Sequence, residues 1–109
     1  TGASVAASKI VDTLKEAADD GTIERTVDRT RMWAVQTPQV FRRELLRRGY
    51  EEVFRRGLVV TDDTAAVELL GIRTVLVDTG RLNIKITTPD DFDLARLLVE
   101  KHHRDLIGK

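Results

Sequence analysis

The chain has 109 residues, 41% of them hydrophobic, which suits one small domain or part of a larger one. Its 18 basic and 18 acidic side chains give a formal net charge of zero, which argues against a general nucleic-acid or membrane-surface binder because such proteins carry a basic excess. The absence of cysteine excludes disulfide frameworks and thiolate metal sites. No apolar run approaches the roughly 18 residues that span a bilayer. These features predict a cytoplasmic protein.

The chain begins with Thr1, and its one methionine is Met32. We therefore expect the chain to be part of a longer protein, with any further segment before Thr1 or after Lys109. No internal repeat, low-complexity tract or Pro/Gly-rich linker interrupts the sequence.

The first predicted elements are a strand and a polar hairpin. Residues 5–14 mix small and β-branched side chains, as strands do. Asp20-Gly21 is a turn dipeptide, and residues 22–29 alternate with period two but place few apolar side chains on either face. Such a hairpin buries little apolar surface, so it lies on a sheet edge or reaches another subunit. The sequence pattern by itself favours the sheet edge.

A short strand and an amphipathic helix are predicted next. Residues 31–36 form an apolar strand candidate. Thr37-Pro38 has the pattern of an N-cap followed by proline at the first helical position. Apolar side chains with helical spacing continue to Phe54, and Gly57 suits the position just past the helix. Arginines and glutamates interleave on the outer face, which favours a solvated surface over a nucleic-acid site.

The second predicted helix follows the apolar residues 58–60. Thr61 and the two aspartates after it are expected to cap this helix, which Gly71 closes. Two buried strands are then predicted, at 73–78 and at 83–87.

The last predicted helix begins at Thr88 and runs to about Asp105. Thr88 is the expected N-cap, with proline at the first helical position and two aspartates in the first turn, where they complement the helix dipole. His102 and His103 are adjacent at its polar end and do not share a helix face, so we predict no metal site there.

Alternating strands and helices predict an α/β layered fold with a largely parallel sheet. The carboxyl ends of parallel strands meet at one edge of a sheet, where ligands bind. Thr37, Thr61 and Thr88 each lie between a predicted strand and a predicted helix, so we expect them at this edge. Helix capping alone also explains each of the three threonines.

Two cations accompany these threonines. Lys85 lies between two isoleucines in a predicted buried strand, where an unpaired ammonium group is costly, and Arg29 ends the polar hairpin. Helix N-termini bind phosphate through backbone N–H groups, while lysine supplies a mobile point charge and arginine a bidentate fork. The pattern therefore indicates an anion site of the phosphate class, although the chain has no Gly-rich phosphate loop.

Four segments, in this order and spacing, resemble one family of enzymes. They are DTLK at 12–15, TVDRTRMWAVQTPQVF at 26–41, TDDTAAVELLG at 61–71 and NIKITTPDDFDLA at 83–95. Together they resemble the C-terminal half of the 2-C-methyl-D-erythritol 4-phosphate cytidylyltransferases. The resemblance extends from about residue 5 to about residue 100.

The resemblance implies a Rossmann-like α/β nucleotidyltransferase sheet, present here in part, with a protruding β-hairpin arm. Residues 1–109 would form the C-terminal part of a single nucleotidyltransferase domain, with the arm at about residues 12–30. In this family the arm reaches into the partner subunit of a homodimer. This implication replaces the sheet-edge interpretation of the hairpin.

The implied activity joins 2-C-methyl-D-erythritol 4-phosphate to CMP from CTP, forming CDP-methylerythritol and pyrophosphate in the non-mevalonate isoprenoid pathway. By matching motif, Thr13 and Arg29 would bind the substrate phosphate across the dimer. Thr37, Thr61 and Lys85 would bind substrate within the subunit. Lys85 would also be catalytic, because it orients the attacking phosphate and offsets its repulsion from the CTP α-phosphate.

In this family the N-terminal half carries the Gly-rich CTP loop, basic catalytic residues and the acidic ligand of Mg²⁺, and these 109 residues match none of them. The resemblance therefore implies Mg²⁺ held outside this chain, the N-terminal half of the same protein as a partner, and an isolated chain without activity. Two alternatives stay open: a ribitol 5-phosphate cytidylyltransferase, which shares the TPQ, TDD and NIKITTP motifs, and a non-catalytic dimerisation or phosphate-binding fragment.

Overall fold

The structure is a computed structural model that describes residues 1–80 and 82–107. It comprises two compact units, Thr1–Asp78 and Thr79–Lys109, and each is described by itself. The single domain predicted over residues 1–109 includes residues 81, 108 and 109, which lie outside the described residues, and it stays a prediction. The elements in chain order are β1 (Ala3–Lys9), β2 (Leu14–Ala17), β3 (Ile23–Val27), β4 (Trp33–Phe41), α1 (Arg43–Arg56), α2 (Asp63–Glu68), β5 (Val75–Asp78) and α3 (Pro89–Ile107).

A three-stranded sheet of order β4-β1-β5 organises the first unit, and the α/β class is confirmed. β1 is antiparallel to β4 and parallel to β5, so the expectation of a largely parallel sheet is wrong for the described strands. The core forms around the central strand because its small side chains allow close packing. The buried apolar residues are Ala3, Val5, Ala6, Ala7, Val53, Ala66 and Val67.

Helices α1 and α2 approach each other closely at Gly49. A Cβ atom added there would lie 2.8 Å from the carbonyl oxygen of Ala66, so only glycine fits without a shift. One residue on, the Tyr50 hydroxyl donates a hydrogen bond to Asp63 in the first turn of α2. That bond raises the pKa of Tyr50. The two contacts hold α2 against α1.

The outer face of α1 carries exposed ion pairs, in agreement with the solvated surface predicted from its composition. Such pairs each contribute little to stability. Arg47 pairs with Glu44 and Glu51, and Arg55 and Arg56 share Glu52.

The predicted helix start at Thr37-Pro38 is wrong. Both residues lie inside β4, and α1 begins at Arg43 after the N-cap residue Arg42. The predicted end is confirmed, because Gly57 takes the left-handed conformation that follows a helix (φ 63°).

Pairing with β1 explains why the chain at Pro38 is extended. Val5 pairs with Gln39, but Ala7 pairs with Val35, so β4 contains two more residues than β1 between these pairs. Pro38 lies in this irregular stretch, at an edge of the described sheet, where its missing N–H group is tolerated. The Thr37–Pro38 peptide is cis.

Apolar segments later in the chain are less buried than predicted. Residues 73–78 do contain a strand, β5, but Val75 is 50% exposed, since β5 has only β1 as a neighbour among the described strands. Residues 58–60 form no strand, and Val59 is 97% exposed. Residues 83–87 form no strand either. The described part of the second unit has no other strand to complete a ladder with them.

The predicted start of α3 is confirmed. The Thr88 hydroxyl accepts a hydrogen bond from the backbone N of Asp91 at 3.2 Å, and the Asp91 carboxylate accepts one from the backbone N of Thr88 at 3.0 Å. This reciprocal pair is a capping box. Neither α3 nor any other helix of the described residues is long and apolar enough to cross a bilayer.

The polar hairpin forms a separate two-stranded sheet of β2 and β3 and does not extend the three-stranded sheet. Gly21 adopts the positive φ of 87° that the predicted Asp20-Gly21 turn requires. Polar pairs join the strands, including the Arg25–Glu16 ion pair at 2.5 Å. We call residues 12–30 the arm and residues 18–22 its tip. The arm base is residues 10–13 with 28–32, which includes two residues on either side of the arm.

Candidate functional site

The arm base brings Thr13 and Arg29 together. Leu14 and Val27 form the last pair at this end of the hairpin, so Thr13 lies one residue before the ladder and Arg29 two residues after it. The Arg29 guanidinium donates a hydrogen bond across this junction to the carbonyl oxygen of Val11. Both predicted site residues are exposed.

The charge of Arg29 is not neutralised by a carboxylate within the described residues. Its partner there is the neutral carbonyl of Val11. A guanidinium has five N–H donors in a planar fork that matches the oxygens of a phosphate. Arg29 therefore retains both the charge and the donors that an anion requires.

A second pair of predicted residues, Thr37 and Thr61, lies on neighbouring segments of the same unit. The Gln39 side chain donates to the carbonyl of Gln36 at 3.3 Å and to the Asp62 carboxylate at 3.4 Å. These bonds place the irregular stretch of β4 beside the start of α2. Both threonines are exposed.

Capping does not account for Thr61, so that part of the prediction is wrong. The N-cap of α2 is Asp62, whose carboxylate accepts a hydrogen bond from the backbone N of Ala65 at 2.9 Å. The buried Thr64 hydroxyl also donates to Asp62, at 2.8 Å. Thr37 lies in a strand and caps nothing, so among the three threonines helix capping explains only Thr88.

Lys85 belongs to the second unit. The expected buried strand around it is not formed, and its side chain is exposed between the half-buried Ile84 and the exposed Ile86. Its ammonium group therefore stays in water, which removes the expected cost of burying it. Two residues further on, the backbone N and the hydroxyl of Thr87 donate to the Asp91 carboxylate at 3.1 and 2.8 Å. The backbone that carries Lys85 is thereby anchored to the first turn of α3.

The described residues do not fit a magnesium site. Among the side chains that the structure describes, no three of His, Cys, Asp or Glu come together in a way that could hold a metal ion. His102 and His103 are both exposed on α3.

The sequence pattern did not identify Gln39 or Asp62 as residues that organise the site. Three successive capping residues, Thr61, Asp62 and Asp63, precede α2, and their order alone does not select the cap. Gln39 gives no local signal, because its role depends on a partner 23 residues away.

Comparison with known proteins supports the resemblance seen in the sequence. Residues 1–101 match the family model described as 2-C-methyl-D-erythritol 4-phosphate cytidylyltransferase. A protein of that name from Xanthomonas campestris pv. campestris (strain B100) is 46% identical over 104 residues, which cover 95% of this chain and 38% of the relative. One from Syntrophus aciditrophicus (strain SB) is 44% identical over 101 residues, covering 93% of this chain and 43% of the relative.

The fold is similar to that of solved structures of the same name. The crystal structure of 2-C-methyl-D-erythritol 4-phosphate cytidylyltransferase from Thermus thermophilus matches with a TM-score of 0.80 and 36% identity, over 92% of this chain and 49% of that one. The structure from Francisella tularensis matches with a TM-score of 0.79 and 33% identity, over 88% of this chain and 45% of that one. The α/β fold is thus that of a nucleotidyltransferase, and the chain spans less than half the length of these relatives. Because the family model matches nearly its whole length, the chain belongs to the 2-C-methyl-D-erythritol 4-phosphate cytidylyltransferase family.

Proposed function

We propose that the protein containing this chain transfers CMP from CTP to 2-C-methyl-D-erythritol 4-phosphate, forming CDP-methylerythritol and pyrophosphate in the non-mevalonate isoprenoid pathway. The observation that carries the proposal is the family membership of residues 1–101. In this proposal the chain supplies the sugar-phosphate side of the site and the arm, and the N-terminal half of the protein supplies the nucleotide side.

The reaction brings two anions together. A phosphate oxygen of the methylerythritol phosphate attacks the α-phosphorus of CTP and forms a new P–O bond. The bond from the α-phosphorus to the bridging oxygen breaks, and pyrophosphate leaves with its electron pair. Catalysis of this kind consists of positioning the reactants and stabilising charge on the phosphoryl oxygens.

The side chains of this chain have separate roles in that process. The exposed ammonium of Lys85 orients the attacking phosphate and reduces its repulsion from the α-phosphate of CTP. Arg29, with its charge not neutralised at the arm base, binds the same substrate phosphate through its guanidinium fork. The hydroxyls of Thr13, Thr37 and Thr61 donate further hydrogen bonds to the substrate.

Magnesium is proposed as the cofactor, with its ligand in the N-terminal half. When bound, it would offset the negative charge of the CTP phosphates. The described side chains of this chain do not form a site for it.

The arm is proposed to join two copies of the protein in a cytoplasmic homodimer, so that Thr13 and Arg29 reach the partner's site. The arm strands are polar and largely exposed, and among the described strands each pairs with the other alone. A polar segment without a core of its own suits a surface that meets a hydrophilic site in another subunit. The balanced net charge gives no support to nucleic acid as a partner.

The test is turnover by the purified full-length protein with CTP and each of two polyol phosphates. We expect pyrophosphate release and a CDP-polyol only with 2-C-methyl-D-erythritol 4-phosphate, whereas turnover only with ribitol 5-phosphate would contradict the proposal. The isolated 109-residue chain should release no pyrophosphate. Activity of that chain would show that the nucleotide side does not depend on the N-terminal half.

Lys85→Ala in the full-length protein should lower kcat by a factor of about 10² or more, the scale seen when one group that stabilises transition-state charge is removed. Because Lys85 is exposed, the circular dichroism spectrum should not change. Lys101→Ala removes another exposed lysine of the same unit and should leave kcat unchanged. Equal kcat values for Lys85→Ala and Lys101→Ala would contradict the catalytic role proposed for Lys85.

A further inference from the structure

Arg29 makes two hydrogen bonds within the arm base and lies inside a small turn. Its own carbonyl accepts a hydrogen bond from the backbone N of Met32 at 3.0 Å. Its guanidinium donates to the carbonyl of Val11 on the other segment. The two neighbours of Arg29 in sequence form a turn around it, because the Asp28 carboxylate accepts from the backbone N of Thr30 at 3.0 Å and from its hydroxyl at 2.7 Å.

The same small turn occurs at the arm tip. There the Asp20 carboxylate accepts from the backbone N of Thr22 at 2.9 Å and from its hydroxyl at 2.6 Å. In both turns the threonine hydroxyl is the main cause of a lowered aspartate pKa. The tip turn reverses the chain around Gly21 and so has a structural explanation. The turn at Asp28 encloses an arginine where the chain leaves β3, and hairpin formation does not require it.

The turn also determines which groups the Asp28 carboxylate binds. A carboxylate adjacent in sequence to an arginine could pair with it and neutralise the charge. Instead, the described Asp28 carboxylate is directed to Thr30, and no ion pair to Arg29 is present in this part of the chain. The guanidinium therefore keeps its positive charge, and its hydrogen bond within the described residues is to the carbonyl of Val11.

We propose that Asp28 is a positioning residue for Arg29, and that its turn with Thr30 fixes the direction of the guanidinium that binds the substrate phosphate. The inference rests on the proposed function, because it assigns Asp28 to the same site. Asp28 acts through Arg29 and does not touch the substrate.

The first test measures the Michaelis constants of the full-length protein. Asp28→Ala should raise KM for the methylerythritol phosphate about tenfold, with KM for CTP changed less than about twofold, because a misdirected donor loses the binding that depends on orientation. Asp28→Asn keeps the acceptor oxygen and should stay close to the unmodified protein. Asp20→Ala removes the matching turn at the tip and should also have little effect. Equal effects of Asp28→Ala and Asp20→Ala would overturn the inference.

A double-mutant cycle separates positioning from general damage to the arm. If Asp28 works only through Arg29, adding Asp28→Ala to Arg29→Ala should cause no further rise in KM. An additional tenfold rise in the Arg29→Ala background would show an independent role and contradict the proposal.

A structural measurement distinguishes failure of this inference from failure of the proposed function. If the full-length protein does not use methylerythritol phosphate at all, the proposed function fails. The orientation of Arg29 is then followed by the NMR signal of its Nε–H group, which Asp28→Ala should shift or broaden and Asp20→Ala should leave unchanged. An Arg29 signal that does not respond to Asp28→Ala would overturn the positioning role.

Discussion

The arm and the packed part of the first unit are held together in different ways. The packed part buries small apolar side chains from β1, α1 and α2, and it contains the close contact at Gly49. The arm has a ladder of two short strands joined by polar pairs, with most of its side chains exposed. In the packed part most side chains serve the fold, whereas at the arm base Thr13 and Arg29 can change with little consequence for packing.

This difference implies that the residues that stabilise the fold and the residues that bind substrate lie in different segments of the chain. Substitutions on the arm should alter kinetics and leave unfolding unchanged, because little apolar surface depends on them. Substitutions of the buried side chains in the packed part should lower the free energy of unfolding. Of the three predictions that follow, from the largest effect to the smallest, the first two test this separation and the third concerns a cap in the second unit.

The strongest test of the arm uses mixed dimers of the full-length protein, with Arg29→Ala in one subunit and Lys85→Ala in the other. If Arg29 serves the partner's site, one site carries both defects and the other carries none, so about half of the normal activity remains. If Arg29 serves its own site, both sites are defective and activity falls by a factor of about 10². Turnover of purified heterodimers measures the difference, and loss of nearly all activity would contradict an arm that acts in trans.

The unfolding midpoint of the heterodimer serves as the control for this experiment. Arg29 is exposed, so its removal should not shift the midpoint in urea. A large shift would mean that the arm contributes to the stability of the protein, and the separation of stability from chemistry would fail.

In the packed part, Asp62→Ala should lower the free energy of unfolding by about 2 kcal/mol. The variant loses the N-cap of α2, worth about 1 kcal/mol, and leaves the Thr64 hydroxyl, 6% exposed, without its acceptor. Thr61→Ala should change the free energy by less than about 0.5 kcal/mol, since Thr61 does not cap the helix. Urea denaturation measures the free energy of unfolding of both variants. A larger loss of this free energy in Thr61→Ala than in Asp62→Ala would show that Thr61 is the N-cap.

The smallest effect concerns pH at the start of α3. The hydroxyl of Thr87 is the main cause that holds the pKa of Asp91 below its ordinary value of 3.8. A lowered folded pKa means that the contribution of the cap is complete above about pH 3.8 and is lost as the pH falls through the lowered value. Thr87→Val should raise the pKa of Asp91 toward 3.8, as followed by its carboxyl carbon shift in an NMR titration.

Asp28 provides the control on the arm. Its pKa is lowered by Thr30, so Thr87→Val should leave it unchanged. If both carboxylates responded to the substitution, the cause would be a general change of the protein and not the single hydroxyl of Thr87.

Features set by neighbouring residues were predictable from the sequence. The Asp20-Gly21 turn and the capping box at Thr88 depend on contacts within a few residues, and both are confirmed. Thr37-Pro38 carries an equally good helix-start pattern, but pairing of β4 with β1 overrides it. At Thr37-Pro38 a neighbouring strand imposes an extended chain, whereas the strand predicted at 83–87 is not formed because the described residues of its own unit supply no neighbouring strand.

The candidate site was predictable only as a set of motifs. Thr13 and Arg29 come together because the hairpin forms, and a local pattern already predicted that hairpin. The placement of the irregular stretch of β4 beside the start of α2 depends on Gln39 and Asp62, which are distant in sequence and gave no joint signal. The roles of these residues, and that of Lys85, stay predictions.

The exposed strand β5 has a practical consequence for work on the isolated chain. An apolar strand at the edge of a sheet is a template on which another chain can add a strand, and Val75, Leu76 and Val77 are all at least 42% exposed. We expect the 109-residue chain to self-associate as its concentration rises. The solubility of the isolated chain will then limit the protein concentration that can be used in an activity assay. A result of no turnover applies only up to that concentration.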